Sequence, residues 1–218
     1  LRAGAILYIM LYHCYVLSGQ PWQAHTALHI FLAFGGEIGV TLFFLLSGYG
    51  IYLSLASSEE RGKLPSWKTF VKKRCLRIMP QYYVCITVLL IFMSPQMLSR
   101  DGIRHIIAYY TLTENFSPVT HGSINGALWT MGVIFQFYLI APFLYKAVRK
   151  NWLVSAIISI LFTIISRIII VRYLHAMGVS DLSVFFVYER QVCSSLDNFV
   201  LGMTAAAFWK NMKKHIPY

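Results

Sequence analysis

The chain has 218 residues, 57% of them hydrophobic and only 12% charged, with a formal net charge of +11. A soluble domain carries about 25% charged residues, so this composition excludes a disordered chain and argues against a water-exposed globular domain. With a mean hydropathy of +0.60, lipid is the natural solvent, and the positive charge must be read by position rather than as a signal for nucleic acid.

A membrane-spanning helix needs about 20 mostly apolar residues. Residues 3–19 form a short first candidate with one ionisable group, His13. Residues 38–56, 78–98 and 127–145 carry no charge at all and predict three further spans. Residues 152–171 hold one charge, Arg167, and residues 192–209 hold Asp197 before an apolar run. Residues 103–112 are too short to cross and are expected to lie at the interface or to re-enter. No internal repeat or Gly/Pro/Ser-rich linker divides the chain. The expected fold is therefore all-α, a polytopic bundle of about six spans forming a single membrane-embedded domain over residues 1–218. The chain begins at Leu1 rather than Met, which reads as trimming at the N-terminus.

Placing the N-terminus in the cytoplasm puts Arg2, the cluster Arg61 to Arg77, Lys146 to Lys150 and Lys210 to Lys214 on the inside. These are fourteen of the nineteen Lys and Arg residues. Residues 20–36 fall outside and hold none. The positive-inside bias thus selects this orientation and accounts for the charge without nucleic acid. The four cysteines show no CxxC spacing, and His25, His29 and His121 match no zinc signature. Neither a disulfide framework nor a metal site is expected.

A histidine within a span is costly and marks a functional candidate. His13 either takes and returns a proton or packs against a backbone group or tyrosine hydroxyl. Arg2 lies eleven residues earlier on nearly the same helix face, roughly 16 Å along the axis. That spacing puts Arg2 at the cytoplasmic edge and His13 near mid-membrane. Arg74 and Arg77, three residues apart, face one way and suit bidentate phosphate contacts, although a juxtamembrane basic belt on anionic lipid has the same composition.

The glycines of the second span, Gly39, Gly48 and Gly50, with Ser47, fit close helix packing. Ser47 lacks the surroundings of a nucleophile. Gln136, in the fourth span, either orients a substrate or bonds neighbouring helices. Trp129 belongs to the outer aromatic belt. Glu37, at the outer mouth of the second span, is a general base or an interfacial charge. Arg167 is expected to snorkel outward, and Asp197 to pair with Arg190 or Arg167. The loop from Ser99 to Gly126 carries Glu114, Asn115 and His121 among other polar residues, and could receive a sugar.

Taken in order, these segments resemble the acyltransferase 3 family of polytopic membrane proteins. The resemblance rests on Arg2 with Tyr12-His13, on Gly39-Val40 through Phe43-Phe44-Leu45-Leu46-Ser47-Gly48-Tyr49, and on Lys73-Arg74 with Arg77-Ile78, Pro80 and Tyr82. It continues in Leu128-Trp129-Thr130 through Gln136-Phe137-Tyr138-Leu139 and in Phe199-Val200-Leu201-Gly202-Met203. Many members carry a glutamate where this chain has Ile134, and members commonly have about ten spans, so the chain is expected to be part of a larger membrane domain.

The resemblance implies an O-acyltransferase in the plasma (inner) membrane. It would move an acyl group, commonly acetyl from acetyl-CoA as co-substrate, to a hydroxyl of a carbohydrate or glycolipid acceptor. No bound cofactor or metal is implied. Arg2, Arg74 and Arg77 would hold the CoA phosphates. His13 would act as base or acyl relay, and Glu37, Trp129 and Gln136 would position substrate. The alternative is a transporter or flippase with His13 and Arg167 along a path. It predicts inverted repeats, and the sequence shows none.

Overall fold

The structure, a computed structural model, describes residues 2–21 and 26–215, without the side chains of residues 2, 182, 183 and 213–215. The described residues form helices α1 (Arg2–Leu17), α2 (Ala27–Ala33), α3 (Gly35–Glu60), α4 (Trp67–Phe92), α5 (Ile103–Tyr110), α6 (Trp129–Lys150), α7 (Trp152–Ala176), α8 (Leu182–Glu189) and α9 (Leu196–His215), with short 3-10 turns between them and no strand. Four helices, α3, α4, α6 and α7, are long and apolar enough to cross a membrane, and α1 is a shorter apolar helix. These four answer to the expected spans at residues 38–56, 78–98, 127–145 and 152–171, while the stretches expected at 3–19 and 192–209 form α1 and α9, which are not among the four; the chain is a multi-pass membrane protein.

Three boundaries differ from the hydropathy reading. Helix α4 begins at Trp67, so the basic residues Lys68 to Arg77 are its first turns rather than a loop. It starts where the Ser66 hydroxyl accepts the Thr69 amide at 3.3 Å, which satisfies a free helix-end donor. It ends at Phe92 rather than residue 98, because Ser94 precedes Pro95 and a residue before proline disfavours the helical region. Helix α9 starts at Leu196, after a 3-10 turn at Val192–Ser194. Residues 20–36, read as an outer loop, contain α2, capped by the Thr26 hydroxyl at 3.2 Å from the His29 amide.

Helices α3 and α9 form the centre of the bundle. Their backbones touch at two glycines. A Cβ on Gly48 would lie 2.0 Å from the Phe199 carbonyl oxygen, and one on Gly202 would lie 1.9 Å from that of Leu45. Side chains from α3, α6 and α9 fill the core beside this crossing, including Phe44, Phe137 and Phe199, with Phe137 and Phe199 stacked at 4.3 Å. A second apolar cluster joins α4 (Met79, Tyr82, Ile86, Leu90) to Tyr109, Leu112 and Ile124. Much of α7 stays uncovered, with Ile157, Leu161, Ile165 and Ile168 all exposed, as a lipid-facing helix requires.

The bundle has one basic end. There Glu59 of α3 pairs with Arg149 of α6 and accepts the Tyr145 hydroxyl at 2.6 Å, and Glu60 pairs with Lys210 of α9 at 2.8 Å. The left-handed Gly62 (φ +66) turns the chain back from α3 toward α4.

Candidate functional site: a basic cavity and an outer polar cluster

At the basic end, a cavity of about 330 Å³ is lined by Ser54, Leu55, Ser58, Pro65, Phe70, Lys73, Arg74 and Arg77. Both predicted arginines therefore share one cavity, and Lys73 joins them. The Arg74 guanidinium lies 5.2 Å over the Phe70 ring and 3.4 Å from the Ser54 hydroxyl. Three cations, two hydroxyls and an aromatic wall suit an anionic ligand with an apolar part.

His13 lies elsewhere. Helix α1 runs antiparallel to the first half of α3, seated on glycines. A Cβ on Gly36 would lie 2.6 Å from the Tyr12 ring, one on Gly35 3.0 Å from Tyr12, and one on Gly39 2.6 Å from Ile9. This registration puts His13 level with the first turn of α3, at the end opposite the cavity, rather than near mid-membrane. The Arg2 backbone falls about midway along the bundle rather than at the basic edge; its side chain lies outside the described residues. The cause is local: α1 has 16 residues against 26 in α3, and the glycines at the start of α3 let it approach closely there. Counted along α3 to Ser54, His13 and the cavity are roughly 30 Å apart. The His13 ring is half-buried and packs edge-on against Tyr12 at 5.0 Å. It makes no hydrogen bond among the described residues, so the packed and bonded alternative is not what the structure shows.

Around the opposite end, the loop between α5 and α6 builds a buried polar cluster. Glu114 and Asn115 are 1% and 0% exposed. Both carboxyl oxygens of Glu114, the Asn115 side-chain oxygen, Nδ1 of His121 and the Gln136 amide nitrogen are buried without a hydrogen-bond partner among the described residues. Such groups are uncommon in a packed interior and each costs about 1–3 kcal/mol. Gly132 leaves room for the Asn115 and Glu114 side chains. A Cβ there would lie 3.0 Å from the Asn115 oxygen and 3.3 Å from the Glu114 carboxyl.

The Asn115 amide donates to the Arg190 carbonyl at 3.2 Å, and the Gln191 amide donates back to the Asn115 carbonyl. The Arg190 guanidinium donates to Nε2 of His121 at 2.8 Å and lies 5.2 Å over the Trp129 ring. Trp129 in turn packs edge-on against Phe44 of α3 at 6.1 Å.

Trp129 thus falls beside this cluster, and Gln136 lies four residues along α6 from Gly132. Glu37 is exposed in the first turn of α3, where its charge complements the helix dipole, and no described contact joins it to the cluster. His25 lies outside the described residues. No group of three metal-ligating side chains occurs among the described residues. Asp197 pairs with neither predicted arginine. Its carboxylate accepts the Asn198 amide at 2.8 Å, while Arg167 donates twice to the Ser194 carbonyl, at 3.2 and 3.0 Å, instead of only snorkelling. Arg190 was legible only as an outer charge. Its importance comes from contacts 69 residues away in sequence.

Burial pushes the Glu114 carboxyl up to about 7. Burial, with help from the Arg190 charge, pushes His121 down to about 4. His121 is therefore neutral, with Nε2 accepting from Arg190 and the proton on Nδ1. The two groups act oppositely on stability. A raised carboxyl stabilises the fold below about pH 4.5 and loses that contribution as pH rises through 7. A depressed imidazole stabilises it above about pH 6.5 and loses that contribution as pH falls through 4. The two slopes are opposite over the same interval, so the wild-type thermal midpoint is expected to be nearly flat between pH 5 and 6.5. Glu114→Gln is expected to remove one side of the balance, making the midpoint in detergent rise with pH over that window. A flat profile in the variant would contradict the burial argument.

The family model described as an acyltransferase domain matches residues 1–217. An O-acetyl transferase of Shigella phage Sf6 is 31% identical over 77% of this chain and 50% of its own length. The O-acetyltransferase OatA of Staphylococcus aureus is 26% identical over 96% of this chain and 34% of its own. The Regulator of hypoxia-inducible factor 1 of Caenorhabditis elegans is 26% identical over 93% of this chain and 45% of its own. The chain therefore spans half or less of the length of these relatives. No solved structure matches. A helical membrane bundle whose ordered motifs match from residue 1 to 217 leaves one assignment: this chain belongs to the acyltransferase 3 family.

Proposed function

We propose that the chain is the acyltransferase part of a membrane O-acyltransferase. It would take an acyl group, acetyl by the habit of its named relatives, from cytoplasmic acyl-CoA and transfer it to a hydroxyl of a cell-envelope carbohydrate or related glycolipid. The observation that carries this reading is the cavity where Lys73, Arg74 and Arg77 converge beside Phe70, at the end that the positive-inside rule places in the cytoplasm. Arginine forks there would grip the donor phosphates, and the Phe70 wall would cover the apolar part.

His13 would serve the acyl transfer at the other end of the bundle. Its free ring nitrogens suit a general base on the acceptor hydroxyl or an acyl relay. The roughly 30 Å along α3 between the two ends calls for an extended donor arm or a relay past Arg2. Trp129 and Gln136 would position the acceptor, with Glu37 at its entrance.

The test is label transfer by the full-length protein in membranes, with radiolabelled acetyl-CoA and envelope extract. Arg74→Gln with Arg77→Gln is expected to raise the KM for acetyl-CoA by about 10- to 100-fold, as loss of charge-assisted hydrogen bonds predicts. An unchanged KM would remove the cavity from the donor site. Movement of a lipid-linked sugar without any thioester, and no label transfer, would favour the transporter instead.

A further inference from the structure

Acyl transfer requires a group that stabilises the negative oxygen formed when a hydroxyl attacks a thioester. The sequence left that group unidentified. A half-buried arginine is normally matched by a carboxylate, because an unpaired charge in a low-dielectric setting is costly. Arg190 has none among the described residues. Its side-chain partners are one nitrogen of a neutral histidine and the faces of Trp129 and Phe186, at 5.2 and 5.8 Å. Its position is held from behind, since fully buried Asn115 grips its carbonyl and the neighbouring Gln191. His121 takes one guanidinium nitrogen and the rings confine the plane. The remaining N–H groups stay available, and Trp129, over which the guanidinium lies, packs against Phe44 in the half of α3 whose first turn seats Tyr12, the neighbour of His13.

Resting on the acyltransferase reading, we propose that Arg190 is a catalytic residue that binds the oxyanion beside His13. His13 accepts the proton of the acceptor hydroxyl as its oxygen bonds to the thioester carbonyl carbon. The carbonyl electrons move onto oxygen, and Arg190 donates hydrogen bonds to that oxyanion. On collapse the C–S bond breaks, and the departing thiolate takes the proton back from His13. The ester and the free thiol are the products. Asn115 and His121 are positioning residues that act through Arg190.

Rates of label transfer from acetyl-CoA to envelope extract by the full-length protein test this. Arg190→Gln is expected to lower kcat by about 10²–10³-fold, the loss typical of one oxyanion donor, with the KM for acetyl-CoA within about twofold. Arg190→Lys, which keeps the charge without the fork, is expected to recover at least about tenfold of that loss. If the glutamine variant does not accumulate, the lysine variant alone decides, with kcat expected to fall at constant KM. Wild-type transfer matched by Arg190→Gln, or a change in KM alone, overturns the role of Arg190 and leaves the acyltransferase reading standing. No transfer by the wild type overturns both.

Discussion

Replacing His13 by alanine is expected to lower acyl transfer by about 10²–10⁴-fold, the usual contribution of a positioned general base. The KM for acetyl-CoA should barely move, because the basic cavity lies at the other end of the bundle, level with Ser54 and Ser58. The fold should tolerate the change. The imidazole is half-buried and makes no hydrogen bond among the described residues, so its removal leaves no orphaned partner. Initial rates at saturating donor, with thermal midpoints in detergent, check both halves. A variant that folds, binds donor and transfers at the wild-type rate would remove His13 from the chemistry. A rise in KM with kcat intact would make His13 part of donor binding instead.

The second large effect is on folding. Gly48→Ala and Gly202→Ala each put a methyl group about 2 Å from a carbonyl oxygen across the α3–α9 crossing, at 2.0 and 1.9 Å. The obstructing atoms are backbone, so no side chain can swing aside and the helices must part. Parting them loosens Phe44, Phe137, Phe199 and Met203, all 1% exposed or less. Overpacking costs about 1–3 kcal/mol in ordinary cores. Contact against rigid backbone should reach the upper end, lowering the thermal midpoint by about 6–12 °C for a chain of this length. The double variant should cost less than the two single costs added, since one separation relieves both contacts. Gly4→Ala is the control, because nothing lies within 4 Å of its Cβ position. Size-exclusion profiles and thermal midpoints in detergent would decide. A Gly202→Ala midpoint within about 2 °C of wild type, a shift of under about 1 kcal/mol, would mean that the crossing yields more easily than its geometry implies.

The sequence by itself determined the class of this protein. Long uncharged stretches must become helices in lipid, because every backbone donor and acceptor has to be satisfied within its own segment. That logic is local, and it located the segments of α1, α3, α4, α6, α7 and α9. Charge counting set an expected orientation, and spacing put Arg74 and Arg77 on one face, where one cavity now joins them to Lys73. The ordered motifs by themselves resemble those of the acyltransferase 3 family.

Depth and partnership were different. Arg2 and His13 were spaced correctly along their helix, but α1 slides along α3 according to where Gly35, Gly36 and Gly39 leave room, and that register depends on a neighbouring surface. The outer cluster was even less legible. Glu114, Asn115 and His121 read as ordinary loop polarity, and Arg190 as one outer charge. Only packing buries the carboxyl of Glu114 to 1% exposure and brings Arg190 to His121 and Trp129. Hydropathy is summed residue by residue, whereas the cost of burying a polar group depends on what stands opposite it. That opposite group is chosen by the tertiary structure.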